Sequence, residues 1–324
     1  MGFPFRLIIQ NALKYSELIF YRYPKANLDI KTELSRKIVI FLYSSHGDIA
    51  LLSSLTQYIK KTAPKSEITL ITSKKCKYVA SLNPDIDRIR CVDFPRFWSY
   101  RNVEHVRKNL RYDVFLNASF YPNLRYLIPF MPLVEVPFFL FRQKPANLPT
   151  PHLELDFKVQ KTREPYVVLN LEAGTLGWHR NMLRPEEMDS MKREIIKRNP
   201  QIIFYLNESV KNTNSVSGEN AKIFRGNVKN LLKLMANSSG IVSLRNGFCD
   251  VLAASTIVPQ FVIYPEGKFP NEDGIETVKW GSMNTLGYDA SITETTVNRY
   301  DQKTIRKTVK NIQSFLNNLR KNIR

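Results

Sequence analysis

Lys37-Ile-Val-Ile-Phe-Leu-Tyr43, running directly into Ser44-Ser45-His46-Gly47-Asp48, is the stretch on which the fold turns. After Lys37 the first part is continuously apolar, as a strand is when both faces of a parallel sheet are covered. Polar residues and a glycine then break the strand. Leu51, Leu52, Leu55, Tyr58 and Ile59 follow at helical spacing, and Lys60, Lys61 and Pro64 end the helix. The pattern repeats outward: Glu67-Ile-Thr-Leu-Ile-Thr72 reads as a strand, 75–82 as a helix, Asn83-Pro84-Asp85 as a turn and Ile86–Val92 as a short strand. Such β-α-β-α-β order predicts a doubly wound parallel sheet. Asp113–Asn117 adds a strand.

The apolar stretch Tyr126–Phe141 is broken by three prolines and Glu135, which favours a helix end, loop and buried strand over a shallow membrane-contacting loop. Proline-rich 143–165 reads as a linker. A second series starts at Tyr166–Leu171. Pro185-Glu186-Glu187 opens a helix with proline first and acids in the first turn. Strands at Gln201–Leu206, Ala221–Phe224, Ile241–Leu244 and Gln260–Tyr264 alternate with a helix capped by Asn227 and with small-residue Val251–Ser255. The expected architecture is α/β, two Rossmann-like domains facing across a cleft: an amphipathic extension 1–36, domains 37–160 and 161–299, and a basic helix 300–324.

With 43% hydrophobic and 24% charged residues over 324 positions, disorder is excluded. Three scattered cysteines support neither a disulfide framework nor a zinc site, and they point to a reducing, cytoplasmic compartment. Neither a spanning helix nor a secretory signal is legible. Net charge is +19, of which residues 1–150 carry 23 basic against 11 acidic side chains and 301–324 carry seven against one. This skew suits an anionic surface. No zinc finger or repeated basic-aromatic pattern speaks for nucleic acid. Residues 5–23 are amphipathic and suit either packing on the body or lying on lipid.

Ligands of such sheets bind beyond the carboxyl ends of strands. Asp48 lies there at a helix start, where it serves either as a cap or as a general base, and neighbouring His46 as a second base or a binding contact. In the second domain, Gly174 and Gly177 permit close backbone approach, Thr175 offers a hydroxyl, and Arg180 and Arg184 can neutralise phosphate. Arg245, Asn246, Gly247 and Asp250 form another loop at the same edge. Together the two loops suit a nucleotide diphosphate. Asp85-Ile86-Asp87 matches the Asp-x-Asp of metal-dependent transferases, but it sits in an Asn-Pro turn and reads as that turn. Cys249 reads as a buried small residue rather than a reactive thiol, and His105 and His152 as isolated packing or surface residues.

Residues 38–93, through Gly47-Asp48-Ile49, Glu67-Ile-Thr-Leu and Asn83-Pro84-Asp85-Ile86-Asp87, resemble the amino-terminal half of the heptosyltransferase-like GT-B glycosyltransferases of family 9. Residues 166–264 resemble the carboxyl-terminal half. The resemblance implies inverting transfer from a nucleotide sugar to a saccharide or lipid-linked acceptor of lipopolysaccharide, O-antigen or capsule. It implies Asp48 as base, the acceptor beside Ser44, Ser45 and Gly47, the donor in the second domain, no metal and no separate cofactor. It also implies a terminal helix crossing back to the first domain; with the basic skew and the amphipathic segment 5–23, that predicts a peripheral place on the inner membrane face. The family's lysine before Trp-Pro is missing from Asn181-Met182-Leu183-Arg184-Pro185, which passes phosphate binding to Arg180 or Arg184. Arg245-Asn246-Gly247-Phe248-Cys249-Asp250 replaces its Asp-Ser/Thr-Gly-x-x-His and looks like motifs of capsule- and O-antigen-associated transferases. An epimerase-like nucleotide-sugar enzyme and a non-enzymatic basic membrane- or nucleic-acid-binding protein remain the alternatives.

Overall fold

The computed structural model describes residues 36–93, 100–118, 147–160, 164–171, 183–208, 218–265 and 282–323. The amphipathic segment 5–23, the apolar stretch 126–141 and the loop carrying Gly174, Thr175, Gly177 and Arg180 lie outside these residues.

Four parallel strands, β1 (Lys37–Phe41), β2 (Glu67–Ser73), β3 (Arg88–Val92) and β4 (Val114–Asn117), form the first sheet in the order β3-β2-β1-β4. Helix α1 (His46–Thr62) and short α2 (Lys77–Ala80) cover one face, and α3 (Tyr100–Lys108) belongs to the other. The second sheet holds β5 (Tyr166–Asn170), β6 (Ile203–Asn207), β7 (Ala221–Phe224), β8 (Gly240–Leu244), β9 (Gln260–Pro265) and β10 (Ile292–Val297). Its order is β10-β9-β8-β5-β6-β7, all parallel. The associated helices are α4 (Pro185–Arg198), α5 (Val228–Ala236), α6 (Gly247–Ser255) and α7 (Gln302–Ile323). Both orders are those of doubly wound sheets, reversing direction between β1 and β4 and between β5 and β8.

The two halves share a core. Leu51, Leu52 and Leu55 of α1 are buried in the same apolar cluster as Val251, Leu252 and Ala254 of α6. The linker straps this junction: the Leu153 amide donates to the Ala254 carbonyl at 2.8 Å and the Glu154 amide to that of Leu82 at 2.7 Å. Asp156 then accepts from the Tyr78 hydroxyl at 2.8 Å and pairs with Lys229 at 2.5 Å, tying α2 to α5.

The terminal helix departs from expectation. Ile312, Phe315, Leu316 and Leu319 of α7 are buried with Val167, Leu169, Phe261 and Ile263, on the face of the second sheet that α4 also covers. The Leu319 side chain presses on Gly240, where a Cβ would lie 2.4 Å from its methyl carbon. The helix thus completes the second domain instead of crossing to the first, because its apolar stripe has a matching uncovered sheet face directly behind it.

Candidate active site

Two of the three loops singled out in the sequence stand at the reversal points of their sheets, where helices diverge to opposite faces and leave a crevice. Ser44–Asp48 follows β1, and Arg245–Asp250 follows β8. The amino termini of α1 and α6 meet backbone to backbone. A Cβ on Gly247 would lie 2.5 Å from the Gly47 nitrogen, and one on Gly47 would lie 2.7 Å from Asp250 Oδ2 and 2.9 Å from the Gly247 Cα. Two glycines are therefore what lets the loops join.

Asp48 is the third residue of α1 and is 8% exposed. Its Oδ2 accepts from the Ser45 amide at 3.0 Å, from the Ser45 hydroxyl at 2.7 Å and from the Ser44 hydroxyl. The carboxylate thus closes a cap on the helix start, as the capping reading expects. All three bonds fall on one oxygen. No described residue donates to Oδ1, so that oxygen stands outside the cap. His46 stands apart from that carboxylate: its Nε2 meets the Lys75 carbonyl at 3.1 Å and its ring stacks on Phe248 with centroids 5.2 Å apart. Burial pushes its imidazole below the usual value, against the pull of the Lys75 carbonyl. That arrangement makes His46 a contact across the domain junction.

The second loop is built differently. The Asn246 side chain accepts from the Phe248 amide at 2.9 Å, capping α6. Arg245 forks onto Asp250, with Nη1 2.6 Å from Oδ2 and Nη2 2.8 Å from Oδ1. Burial pushes the Asp250 carboxyl up, Arg245 pulls it back, and the charge of Asp48 across the junction pushes it up again. Burial also opposes the Arg245 charge, but Asp250 more than offsets this and the guanidinium stays protonated. The expectation that Arg245 presents its fork to a diphosphate therefore meets a guanidinium turned inward onto Asp250. Arg184 caps the start of α4 through its amide, which donates to Glu187 at 2.7 Å, while its 60%-exposed side chain lies 3.4 Å from the same carboxylate. Around the carboxyl ends of β5, β6 and β8, Asn170 donates to Ser243 at 3.1 Å and accepts from Asn207 at 2.8 Å, which fixes the floor of the second loop.

Three further residues join the site without having been singled out as site residues in the sequence. Phe248 stacks on His46, the Lys75 carbonyl holds that ring, and the Tyr288 hydroxyl reaches Asp250 at 3.4 Å. Only Phe248, inside the loop itself, carried a local signal. The turn reading of Asp85-Ile86-Asp87 matches the contacts: the Asp85 amide donates to Asn83, and Asp87 accepts from the Ile68 amide and from Lys60. Cys249 is buried and its thiol is pushed up by that burial.

No protein-family model matches the sequence, and no curated protein does. Solved structures do. The E. coli ADP-heptose lipopolysaccharide heptosyltransferase II aligns with 87% of this chain and 98% of its own at TM-score 0.60 and 17% identity. The E. coli heptosyltransferase WaaC with ADP-2-deoxy-2-fluoro heptose aligns with 87% and 99% at 0.60 and 14%. A family 9 glycosyl transferase from Veillonella parvula aligns with 86% and 91% at 0.58 and 14%. The chain has the GT-B fold. In that fold the Asp48 loop of one half and the Asp250 loop of the other join through Gly47 and Gly247.

Proposed function

We propose that the protein is an inverting, metal-independent glycosyltransferase that moves a sugar from a nucleoside-diphosphate donor to a saccharide or lipid-linked acceptor, with Asp48 as general base. The observation that carries this reading is the Asp48 carboxylate, fixed through one oxygen by three donors, at the reversal point of the first sheet and against the matching loop of the second. Acceptor oxygen attacks the anomeric carbon as its proton passes to Asp48 Oδ1. The bond from that carbon to the diphosphate breaks on the opposite side, which inverts the centre. A base held in place contributes about 10²–10⁴ in rate.

The departing diphosphate needs positive charge. With Arg245 committed to Asp250, we assign that role to Arg184 and, from the sequence pattern, to Arg180 together with Gly174, Thr175 and Gly177. Charge-assisted hydrogen bonds contribute roughly 1.5–3 kcal/mol each. The structural neighbours named with ADP and with an ADP-heptose analogue make ADP-sugars the first donors to try. For the acceptor, the basic excess of residues 1–150 favours a glycan or lipid-linked saccharide presented at the anionic inner face of the cytoplasmic membrane. No helix among the described residues is long and apolar enough to cross a membrane; the attachment we propose is peripheral and held by charge.

A thermal-shift series over nucleoside diphosphates and their sugars tests the donor reading, because a ligand that binds the native state at a hundred times its Kd adds about 2.7 kcal/mol of stability. A rise in Tm with one nucleoside diphosphate and its sugars is expected. No shift with any of them contradicts a nucleotide-sugar enzyme.

A further inference from the structure

The amino-terminal edge of the first sheet carries a second feature, remote from Asp48. In the parallel register, Val39 lies beside Thr69, Thr69 beside Arg88 and Ile71 beside Arg90, so these residues share one face of the sheet. Toward the carboxyl ends that face is apolar and covered by α3, with Val39, Phe41, Ile71 and Val103 buried together. Toward the amino ends it is cationic and open. A groove of about 660 Å³ lies between Lys37 at the start of β1 and the Arg107–Asp113 segment, and an adjoining hollow of about 300 Å³ extends from Lys37 and Arg111 across Arg88 and Arg90.

Part of this charge has a local explanation. Arg107 pairs with Glu104 at 2.7 Å and Arg88 with Glu67 at 2.8 Å, and Lys108 sits in the last turn of α3, where the helix dipole favours a cation. Asp113 accepts from the backbone amide of Lys37. Lys37, Arg90 and Arg111 have no such explanation. All three are exposed, and none forms an ion pair with a described residue. Unpaired cations gathered in one recess repel one another and raise the local potential for an anion. Guanidinium forks on two walls with an ammonium between them match the geometry of phosphate oxygens.

We propose that this groove binds a ligand carrying two or more phosphate groups, at a site separate from the donor's diphosphate. The separation follows from topology: the groove lies at the amino ends of strands whose carboxyl ends lead to Asp48, and beyond Lys37 the remaining four residues of β1, about 3.3 Å each, run toward that end. The proposal does not depend on the transferase reading.

The test uses the full chain, sodium tripolyphosphate as probe, and the triple variant K37Q/R90Q/R111Q, whose three positions are exposed and outside the active-site loops. Wild type should bind tripolyphosphate with an affinity that falls as salt rises. The variant should bind at least tenfold more weakly while melting at the wild-type temperature and keeping the wild-type response to nucleoside diphosphates. Equal tripolyphosphate affinity in variant and wild type overturns the proposal, as does no binding by wild type at 0.1 M salt. Flotation with cardiolipin–phosphatidylcholine vesicles, whose anionic lipid carries two phosphates in one headgroup, against pure phosphatidylcholine vesicles identifies the source. Loss of both tripolyphosphate and anionic-vesicle binding in the variant assigns the groove to lipid headgroups. Loss of tripolyphosphate binding with unchanged vesicle binding assigns it to a soluble phosphate ligand.

Discussion

Two carboxylates stand at two helix starts on either side of one junction, and they are built for opposite ends. Asp48 is held by two hydroxyls and an amide, all on one oxygen, whereas Asp250 is gripped through both oxygens by a guanidinium. A carboxylate whose donors are neutral and one-sided keeps an oxygen for a proton. One locked in a two-point buried ion pair has none to offer, and its removal disturbs the fold. The comparison separates a carboxylate with one oxygen outside its hydrogen bonds from one that braces its own loop, although both read alike as acid at the start of a helix.

Breaking the second arrangement should have the largest effect on stability. Arg245→Leu leaves Asp250 buried without its cation, and loss of one partner of a buried pair costs about 3–5 kcal/mol. Urea denaturation should show that loss at pH 7. It should also show a smaller loss at pH 5, because Asp250, already pushed up by burial, takes up a proton more readily once Arg245 is gone. A loss under 1 kcal/mol at pH 7 would mean the pair does not brace the second loop.

Gly247→Ala comes next. The new methyl group meets backbone, the Gly47 nitrogen at 2.5 Å and its Cα at 3.2 Å, and neither can turn away as a side chain could. Overpacking of this kind costs about 1–3 kcal/mol. The same substitution at Gly218, where the nearest atom is a side-chain methyl at 3.4 Å, serves as control and should cost less.

The smallest effect is a pH slope. His46 is held below its ordinary value by burial. The unfolded chain therefore takes up a proton near pH 6.5 while the folded one resists, and stability present above that pH is lost as pH falls through the interval below it. Wild type should lose stability between pH 6.5 and 5 more steeply than His46→Gln does. Parallel curves would remove His46 from the junction's titration.

How much of this was legible beforehand follows from burial. Strands covered on both faces, such as Ile38–Phe41 and Tyr166–Leu169 of β5, are unbroken apolar runs and declare themselves. Strand β10, Ile-Thr-Glu-Thr-Thr-Val, lies at a sheet edge and alternates polar residues, one of which, Glu294, accepts from Ser282 at 2.6 Å and from the Met283 amide at 2.7 Å. Five of its six residues are β-branched, as strands favour, but it lacks the unbroken apolar run that marks the central strands. Helix α3 was missed because only Val103 of its central residues is fully buried, amid charges at 104, 107 and 108. The site divides the same way. The two loops were legible because strand, glycine, acid and helix follow in order. Their meeting through Gly47 and Gly247, and the inward turn of Arg245, are tertiary facts between segments some two hundred residues apart. The terminal helix was placed by resemblance, while its apolar stripe shows only that it packs, not on which sheet.

The central claim is that Asp48, and not its counterpart Asp250, accepts the proton. The direct measurement is single-turnover sugar transfer by Asp48→Asn with the matched nucleotide sugar, alongside nucleotide affinity of the same variant. The amide keeps the size of the side chain and an oxygen for the Ser44 and Ser45 donors, but it cannot serve as a base. Transfer should fall by about 10²–10⁴ with nucleotide affinity within about twofold of wild type. Transfer at more than a tenth of the wild-type rate, with the donor bound as tightly, would contradict the claim.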